Sequence, residues 1–233
     1  GASISAVQLA SSSPIGANPI LGDSHVSPRR PDMPPLRRRD LSDDPLESFA
    51  AWYERAEREA PLADAMCLAT VDAGGVPDAR MVLLKGFGPE GFRFFTNEAS
   101  AKGEQLEAAP YAALVVYGRE LDPQVRIRGP VERVGDEEAD EYFASRARES
   151  QIGAWASPQS RPLGARDELD REIERVAERF EGDPVERPPH WGGYRVVPLS
   201  IELWQGQVAR LHDRFRYERS APGEPWTLIR IAP

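Results

Sequence analysis

The stretch richest in chemistry lies near the C-terminus: Trp204-Gln205-Gly206-Gln207-Val208-Ala209-Arg210-Leu211-His212-Asp213-Arg214-Phe215. His212 is one of three histidines in the chain, and an arginine stands two residues away on either side. In a strand, Arg210, His212 and Arg214 share one face while Leu211 and Asp213 take the other. A lone histidine is ordinarily structural. Two guanidinium groups beside it are costly to bury without an anion, so the pattern points to an anionic or electron-rich ligand without naming a reaction.

Three further stretches carry the groups that hold phosphate, namely helix-start N–H groups, hydroxyls and Arg or Lys. Phe95-Thr96-Asn97-Glu98-Ala99-Ser100-Ala101-Lys102 reads as a strand end running into a helix start. In Arg80-Met81-Val82-Leu83-Leu84-Lys85, strand alternation sends Arg80 and Lys85 to opposite faces, toward different ligands or different parts of one, or simply into solvent. Tyr142 and Arg146 are four apart and share a helical face, with Ser150 following if the helix continues. That line is either a phosphate clamp or a solvated helix end.

The elements that must position these groups are legible in outline. Asp44-Pro45-Leu46-Glu47 combines an acidic cap, proline at the first helical position and a glutamate three after the cap. Phe49, Trp52, Tyr53 and Ala56 then fall on one face of the helix it opens. Strands are predicted at Met66–Val71, Ala79–Lys85, Phe92–Thr96, Tyr111–Tyr117 and Gln124–Val134, with turns at Asp72-Ala73-Gly74-Gly75 and Gly88-Pro89-Glu90-Gly91. Helices are predicted at Ser100–Ala108, at Asp136–Ala147 and from Leu163 to Phe180, where Leu163, Leu169, Ile173, Val176 and Phe180 form an apolar stripe. Strands return from Trp191 to Pro233. Short strands with tight turns favour a small antiparallel barrel over a Rossmann sheet, and no P-loop or GxGxxG is present.

Composition narrows the classes. The 233 residues carry 29 basic and 38 acidic side chains, a net charge of −9 that argues against a dedicated nucleic-acid binder. The single cysteine, Cys67, cannot form an internal disulfide and reads as a buried apolar residue; no Cys/His cluster has metal-site spacing. The longest apolar stretch, Tyr111–Tyr117, is too short to span a bilayer. Residues 1–35 are proline-punctuated, uncharged before Asp23 and lack a signal-peptide pattern, so a disordered tail is expected before an ordered domain at 36–233. A soluble, cytoplasmic protein follows.

Arg80-Met81-Val82-Leu83-Leu84-Lys85, Phe94-Phe95-Thr96-Asn97, Ser150-Gln151-Ile152-Gly153-Ala154-Trp155, Gln159-Ser160, Trp191-Gly192-Gly193-Tyr194 and Arg210-Leu211-His212-Asp213-Arg214-Phe215 together resemble the pyridoxamine (pyridoxine) 5′-phosphate oxidase family. The resemblance runs in order from about Leu36 to the terminal Arg230-Ile231-Ala232-Pro233. It implies a mainly β fold with flanking helices, an FMN-binding split β-barrel, working as a homodimer with each flavin at the subunit interface. The implied reaction oxidises pyridoxine 5′-phosphate or pyridoxamine 5′-phosphate to pyridoxal 5′-phosphate, with O2 as acceptor and H2O2 as by-product.

By position, the resemblance implies FMN contacts at Arg80 to Lys85 (Met81, Val82, Leu83 and Leu84 between them), Lys102, Gln159 and Ser160. It adds flavin-lining positions at Phe95, Thr96 and Gln124, and Trp204 and Arg214 beside the ring. Lys85, Tyr142, Arg146 and Ser150 match a substrate-phosphate clamp, and Arg210, Leu211 and His212 the surroundings of the pyridine ring. Catalytic roles then fall to Arg210, His212 and Arg214, with Arg214 stabilising the reduced flavin and His212 positioning the substrate.

Two departures stand out. Ala101 occupies a place where many members carry arginine, and Ser27-Pro28-Arg29-Arg30-Pro31-Asp32 lacks the tyrosine often found on the family's N-terminal arm. Arg37-Arg38-Arg39 reads as structural or solvated. Two other readings remain: a relative oxidising another ring, such as a phenazine precursor, and a non-catalytic flavin or pyridoxal-phosphate binding module. The phosphate clamp weighs against the first and the Arg210-Leu211-His212 stretch against the second.

Overall fold

A computed structural model describes residues 34–59, 62–118 and 123–233. Of the predicted tail, residues 1–35, all but the last two lie outside the described residues, as does the arm segment Ser27–Asp32. The first helix, α1 (Pro45–Glu59), begins as its sequence requires. Asp44 Oδ1 accepts the Leu46 N–H at 2.8 Å and Pro45 fills the position that needs no donor. Glu47 does not close a capping box with Asp44; it accepts a hydrogen bond from Ser42 Oγ at 2.6 Å, tying the helix to the preceding turn.

Among the described residues ten strands follow, every pairing antiparallel: β1 (Ala65–Val71), β2 (Pro77–Leu83), β3 (Gly86–Gly88), β4 (Gly91–Asn97), β5 (Tyr111–Tyr117), β6 (Pro123–Arg133), β7 (Trp191–Val196), β8 (Ser200–Gln205), β9 (Asp213–Glu218) and β10 (Thr227–Arg230). One path runs β10-β9-β8-β6-β5-β1-β2, while β7 joins β6 to β4 and β3. The long β6 makes this branching possible. Its first part, Pro123–Arg128, ladders with β8, and Val131–Arg133 ladders with β7. Gly129 sits at the fork, where any Cβ would overlap the Val197 carbonyl oxygen. Only glycine lets the two backbones approach so closely.

Alternation along the strands builds the core. Met66, Leu68, Leu114, Val116, Val125, Ile127 and Ile201 point inward, and α1 closes the barrel with Phe49 and Trp52. Phe49 meets Phe87 and Phe92 edge-on, at 4.7 and 5.0 Å between ring centres. Burying a ring of that size stabilises the fold by about 2–3 kcal/mol. Cys67 follows the opposite phase. It is half-buried on the outer face, not a core residue as its strand context suggested.

A second core forms where α3 (Asp136–Ala144), α4 (Arg148–Ala156) and α5 (Arg166–Arg179) pack against β7, using Phe143, Ile152, Val176, Phe180 and Trp191. Leu169 and Ile173 extend this packing as the stripe predicts, but Leu163 precedes the helix and is exposed. The helix predicted over Asp136–Ala147 stops at Ala144. There the buried Gln151 side chain donates through Nε2 to the Phe143 and Ala144 carbonyls at 2.9 and 3.3 Å, satisfying the helix end.

Candidate active site

The short helix α2 (Ala101–Ala108) begins directly after β4, beside a cavity of about 670 Å³. Ser100 is at the cap position, yet its Oγ donates back to the Asn97 carbonyl at 2.6 Å. The first-turn N–H groups therefore have no side-chain cap. Lys102 is buried there, and Nζ donates to Gln159 Oε1 at 2.7 Å and Ser100 Oγ at 3.1 Å. Both acceptors are neutral. Burial pushes the lysine's pKa down, and the neighbouring Arg80 charge pushes it the same way. Thr96 Oγ1 also donates to Gln159, at 3.2 Å.

Arg80 stands behind Lys102, not in the cavity lining. Its guanidinium is met within the chain by Thr70 Oγ1, Gln105 Oε1 at 2.8 Å and Asp78 Oδ2. Asp78 in turn is held below the usual carboxylate range by the Gln105 side chain, the Ala79 N–H and the Arg80 charge.

Across the cavity stand Tyr142, Arg146 and Ser150. They do not share one helix. Tyr142 lies in the last turn of α3, Arg146 in the link and Ser150 in the first turn of α4, so the three line one cavity across a helix break, where a helix running on to Ala147 was expected to carry Tyr142 and Arg146 on one face. Tyr142 stacks on Phe95 at 4.1 Å between ring centres. Arg146 lies over Trp191 and Phe143, its Nη1 is buried with no hydrogen-bond partner, and burial lowers its pKa. Lys85 lines the same cavity from beyond the end of β2, with Nζ on Asp64 Oδ2 at 2.7 Å. Arg80 and Lys85 thus do point to different partners.

A second cluster forms elsewhere on the chain. Gln124, Trp204 and Arg214 are direct register partners across β6, β8 and β9, and so make one lateral row. Arg214 is answered by the buried Glu202, whose Oε1 accepts from Nε and Nη2 at 3.0 and 2.8 Å. Its charge has an anion inside the fold, where the sequence pattern pointed to a bound ligand as the anion. Arg210 does not share a strand face with His212 and Arg214: β9 starts at Asp213, and Val208–Arg210 is a 3-10 turn with Ala209 and Arg210 at φ 54° and 61°. Arg210 and Leu211 are exposed, and Asp213 is buried under Arg230 and the Leu36 N–H. His212 packs on Trp204 at 4.6 Å between ring centres, and its Nδ1 accepts the Gln207 N–H at 3.2 Å. That bond assigns the proton of the neutral ring to Nε2.

Of the residues the sequence nominates, Met81, Val82, Leu83, Lys85, Phe95, Thr96, Lys102, Tyr142, Arg146, Ser150 and Gln159 line the cavity. Leu84 is in the core, and Arg80, Ser160, Gln124, Trp204, Arg210, Leu211, His212 and Arg214 are not among the lining residues. Sequence reasoning passed over Asp64, Gln151 and Glu202. For Glu202 a signal existed, since an acid in Ile201-Glu202-Leu203-Trp204 interrupts an apolar strand.

Residues 54–180 match the family described as pyridoxamine 5′-phosphate oxidase, and residues 191–233 match the pyridoxine 5′-phosphate oxidase C-terminal dimerisation region. This chain belongs to the pyridoxamine 5′-phosphate oxidase family. It is 49% identical over 216 residues to the pyridoxine/pyridoxamine 5′-phosphate oxidase of Azorhizobium caulinodans, covering 91% of this chain and 100% of that one. With the enzyme of the same name from Maricaulis maris it shares 52% identity over 192 residues, 82% of this chain and 86% of the relative. Among solved structures, PhzG from Burkholderia lata in complex with tetrahydrophenazine-1-carboxylic acid superposes with a TM-score of 0.80 at 27% identity, covering 87% of this chain and all of that one. The branched sheet closed by α1 is the split barrel of this oxidase family. The segment matching the dimerisation region contains Trp204, Arg210, Leu211, His212 and Arg214, five of the nominated residues that do not line the cavity.

Proposed function

We propose that this chain, through residues 36–233, oxidises pyridoxine 5′-phosphate and pyridoxamine 5′-phosphate to pyridoxal 5′-phosphate, with FMN as cofactor and O2 as acceptor. The observation that carries this reading is one cavity with two separate phosphate-holding sets on its walls. Lys102, beside Thr96 and Gln159, forms one; Lys85, Tyr142, Arg146 and Ser150 form the other. Both sets have unanswered groups that fit anions: a buried ammonium with neutral acceptors, and a buried guanidinium N–H with none.

Bound there, FMN would supply the redox chemistry, a two-electron acceptor for the hydride of the substrate's C4′ carbon that O2 reoxidises with release of hydrogen peroxide. The protein holds both phosphates so that the reacting carbon has one orientation. Lys102, Gln159 and the α2 N–H groups anchor the flavin phosphate, with Arg80 adding charge from behind. The four clamp residues anchor the substrate phosphate. Arg214 would lend positive charge to the flavin, with Trp204 and Gln124 from the same row helping to hold it, and Arg210 would orient the substrate. His212 offers Nε2–H to the substrate as a donor, which makes it a positioning group and not a proton acceptor.

A second copy of the chain completes the site. The outer face of β1, β2 and β5 leaves Met81 and Leu83 exposed and Cys67, Ala69 and Val115 half-buried, an apolar surface suited to a homodimer. The Gln124–Trp204–Arg214 row of one subunit then meets the cavity of the other. Among the described residues no helix is long and apolar enough to cross a membrane. A cytoplasmic location suits phosphorylated substrates, which do not cross bilayers unaided.

The decisive experiment mixes the FMN-loaded protein anaerobically with pyridoxine 5′-phosphate. The flavin band should bleach rapidly and return on admission of oxygen. An unchanged band with FMN still bound would sink the proposal and move the weight to another ring substrate or to a binding module.

A further inference from the structure

We propose that Trp191 is a positioning residue for substrate phosphate, holding the Arg146 guanidinium by its ring face so that no carboxylate of the fold competes with the ligand for its donors. This rests on Arg146 as a phosphate contact. The Arg146 carbon Cζ lies 4.8 Å from the centre of the Trp191 ring and 5.5 Å from that of Phe143. The two rings stand at 71° to one another, so the guanidinium occupies the corner they form.

What supports the charge decides what it can do. Lys85, on the same cavity, is tied to a carboxylate, and any phosphate must compete with Asp64 for its protons. A carboxylate beside Arg146 would compete in the same way. An aromatic face attracts the cation through its ring quadrupole and takes up none of its hydrogen-bond donors. In keeping with this, Nη1 is buried with no hydrogen-bond acceptor of the chain beside it.

The surrounding structure fixes the ring. Trp191 opens β7, pairs in register with Asn97 of β4, and its carbonyl accepts from Arg187 Nη1 at 2.7 Å. Phe95 lies nearly parallel to it, 9° between planes, and Tyr142 stacks on Phe95 in turn. Gly193 makes this stacking possible, because a Cβ there would press into the Phe95 ring and Val134. Trp191 thereby links the tyrosine and the arginine of the clamp through ring faces alone.

The test compares FMN-loaded wild type, Trp191→Phe, Trp191→Leu and Arg146→Ala, measuring KM and kcat for pyridoxine 5′-phosphate and the calorimetric affinity for pyridoxal 5′-phosphate. With a cation–ring attraction of ordinary strength, Trp191→Leu should raise KM and weaken product binding about tenfold, with kcat nearly unchanged. Trp191→Phe, which keeps an aromatic face, should recover most of the loss. Wild-type KM in both Trp191 variants, or a fall in kcat at constant KM, would overturn the proposal. Should Trp191→Leu fail to fold, fluorinated tryptophan can be incorporated into wild type and Trp191→Phe in parallel. Fluorination drains the ring face, so KM should rise in wild type beyond any rise in the variant, and equal changes would overturn the ring's role. If Arg146→Ala itself leaves KM and product affinity untouched, it is the phosphate-clamp reading that fails.

Discussion

Arg214 places Nε and Nη2 on a single oxygen of Glu202, at 3.0 and 2.8 Å, while Glu202 itself is buried. The carboxylate holds the guanidinium at the end of the Gln124–Trp204–Arg214 row, and Nη1 is fixed separately by the Ala232 carbonyl at 3.0 Å. Removing the acid leaves a partly buried cation without its partner, at a cost of about 3 kcal/mol. Glu202→Gln should therefore lower the melting temperature and slow anaerobic flavin reduction about tenfold, the slowing expected when a preorganised charge is misplaced. Reduction at the wild-type rate in a destabilised variant would show that Arg214 needs no such support.

Lys102 gives a pH dependence with a definite sign. Its pKa is lowered in the protein by burial and by Arg80, so without a bound anion the charged form destabilises the fold. That destabilisation is present below the lowered pKa and disappears as pH rises through it to the ordinary lysine value. A bound phosphate reverses the balance by favouring the ammonium. FMN affinity, followed by quenching of flavin fluorescence, should fall as pH rises through the lowered pKa. Lys102→Met should bind FMN at least tenfold more weakly, as loss of a charge-assisted contact implies, and remove this slope. Ala101→Arg, restoring a charge at the same helix start, should tighten binding.

The division of the site between two subunits can be tested by complementation. Arg146→Ala and Arg214→Ala should each be nearly inactive alone. Co-expressed, they form mixed dimers in which one site carries both substitutions and the other neither, so roughly a quarter of all sites should regain activity. No recovery in verified mixed dimers would place both residues in a site built from a single chain.

For His212, the bond from the Gln207 N–H to Nδ1 makes Nε2 a donor. His212→Ala should weaken substrate binding and lower turnover together. Intact affinity with turnover abolished would mean that the imidazole moves a proton.

At the fork of β6, Gly129→Ala should cost about 3 kcal/mol or more, because a Cβ there meets the backbone of Val197 and not a movable side chain. A melting temperature equal to that of wild type would show that the fork tolerates separation.

Local chemistry determined what the sequence disclosed unaided. The Asp44-Pro45 start, the glycine turns, the alternation of β1 and β5 and the apolar stripe of α5 depend on neighbours a few residues away, and they are visible without a fold. The phosphate-holding groups were visible for the same reason, since hydroxyl and cation types advertise themselves. What they face was decided only by tertiary structure. Gln151 ends α3 from seven or eight residues downstream and so swings Ser150 toward Tyr142 and Arg146. Glu202 answers Arg214 from the neighbouring strand, and Trp191 reaches Arg146 across 45 positions of sequence. Such pairings depend on strand register and on where a helix stops, quantities set by the packing of the whole chain, and no local pattern of residues contains them.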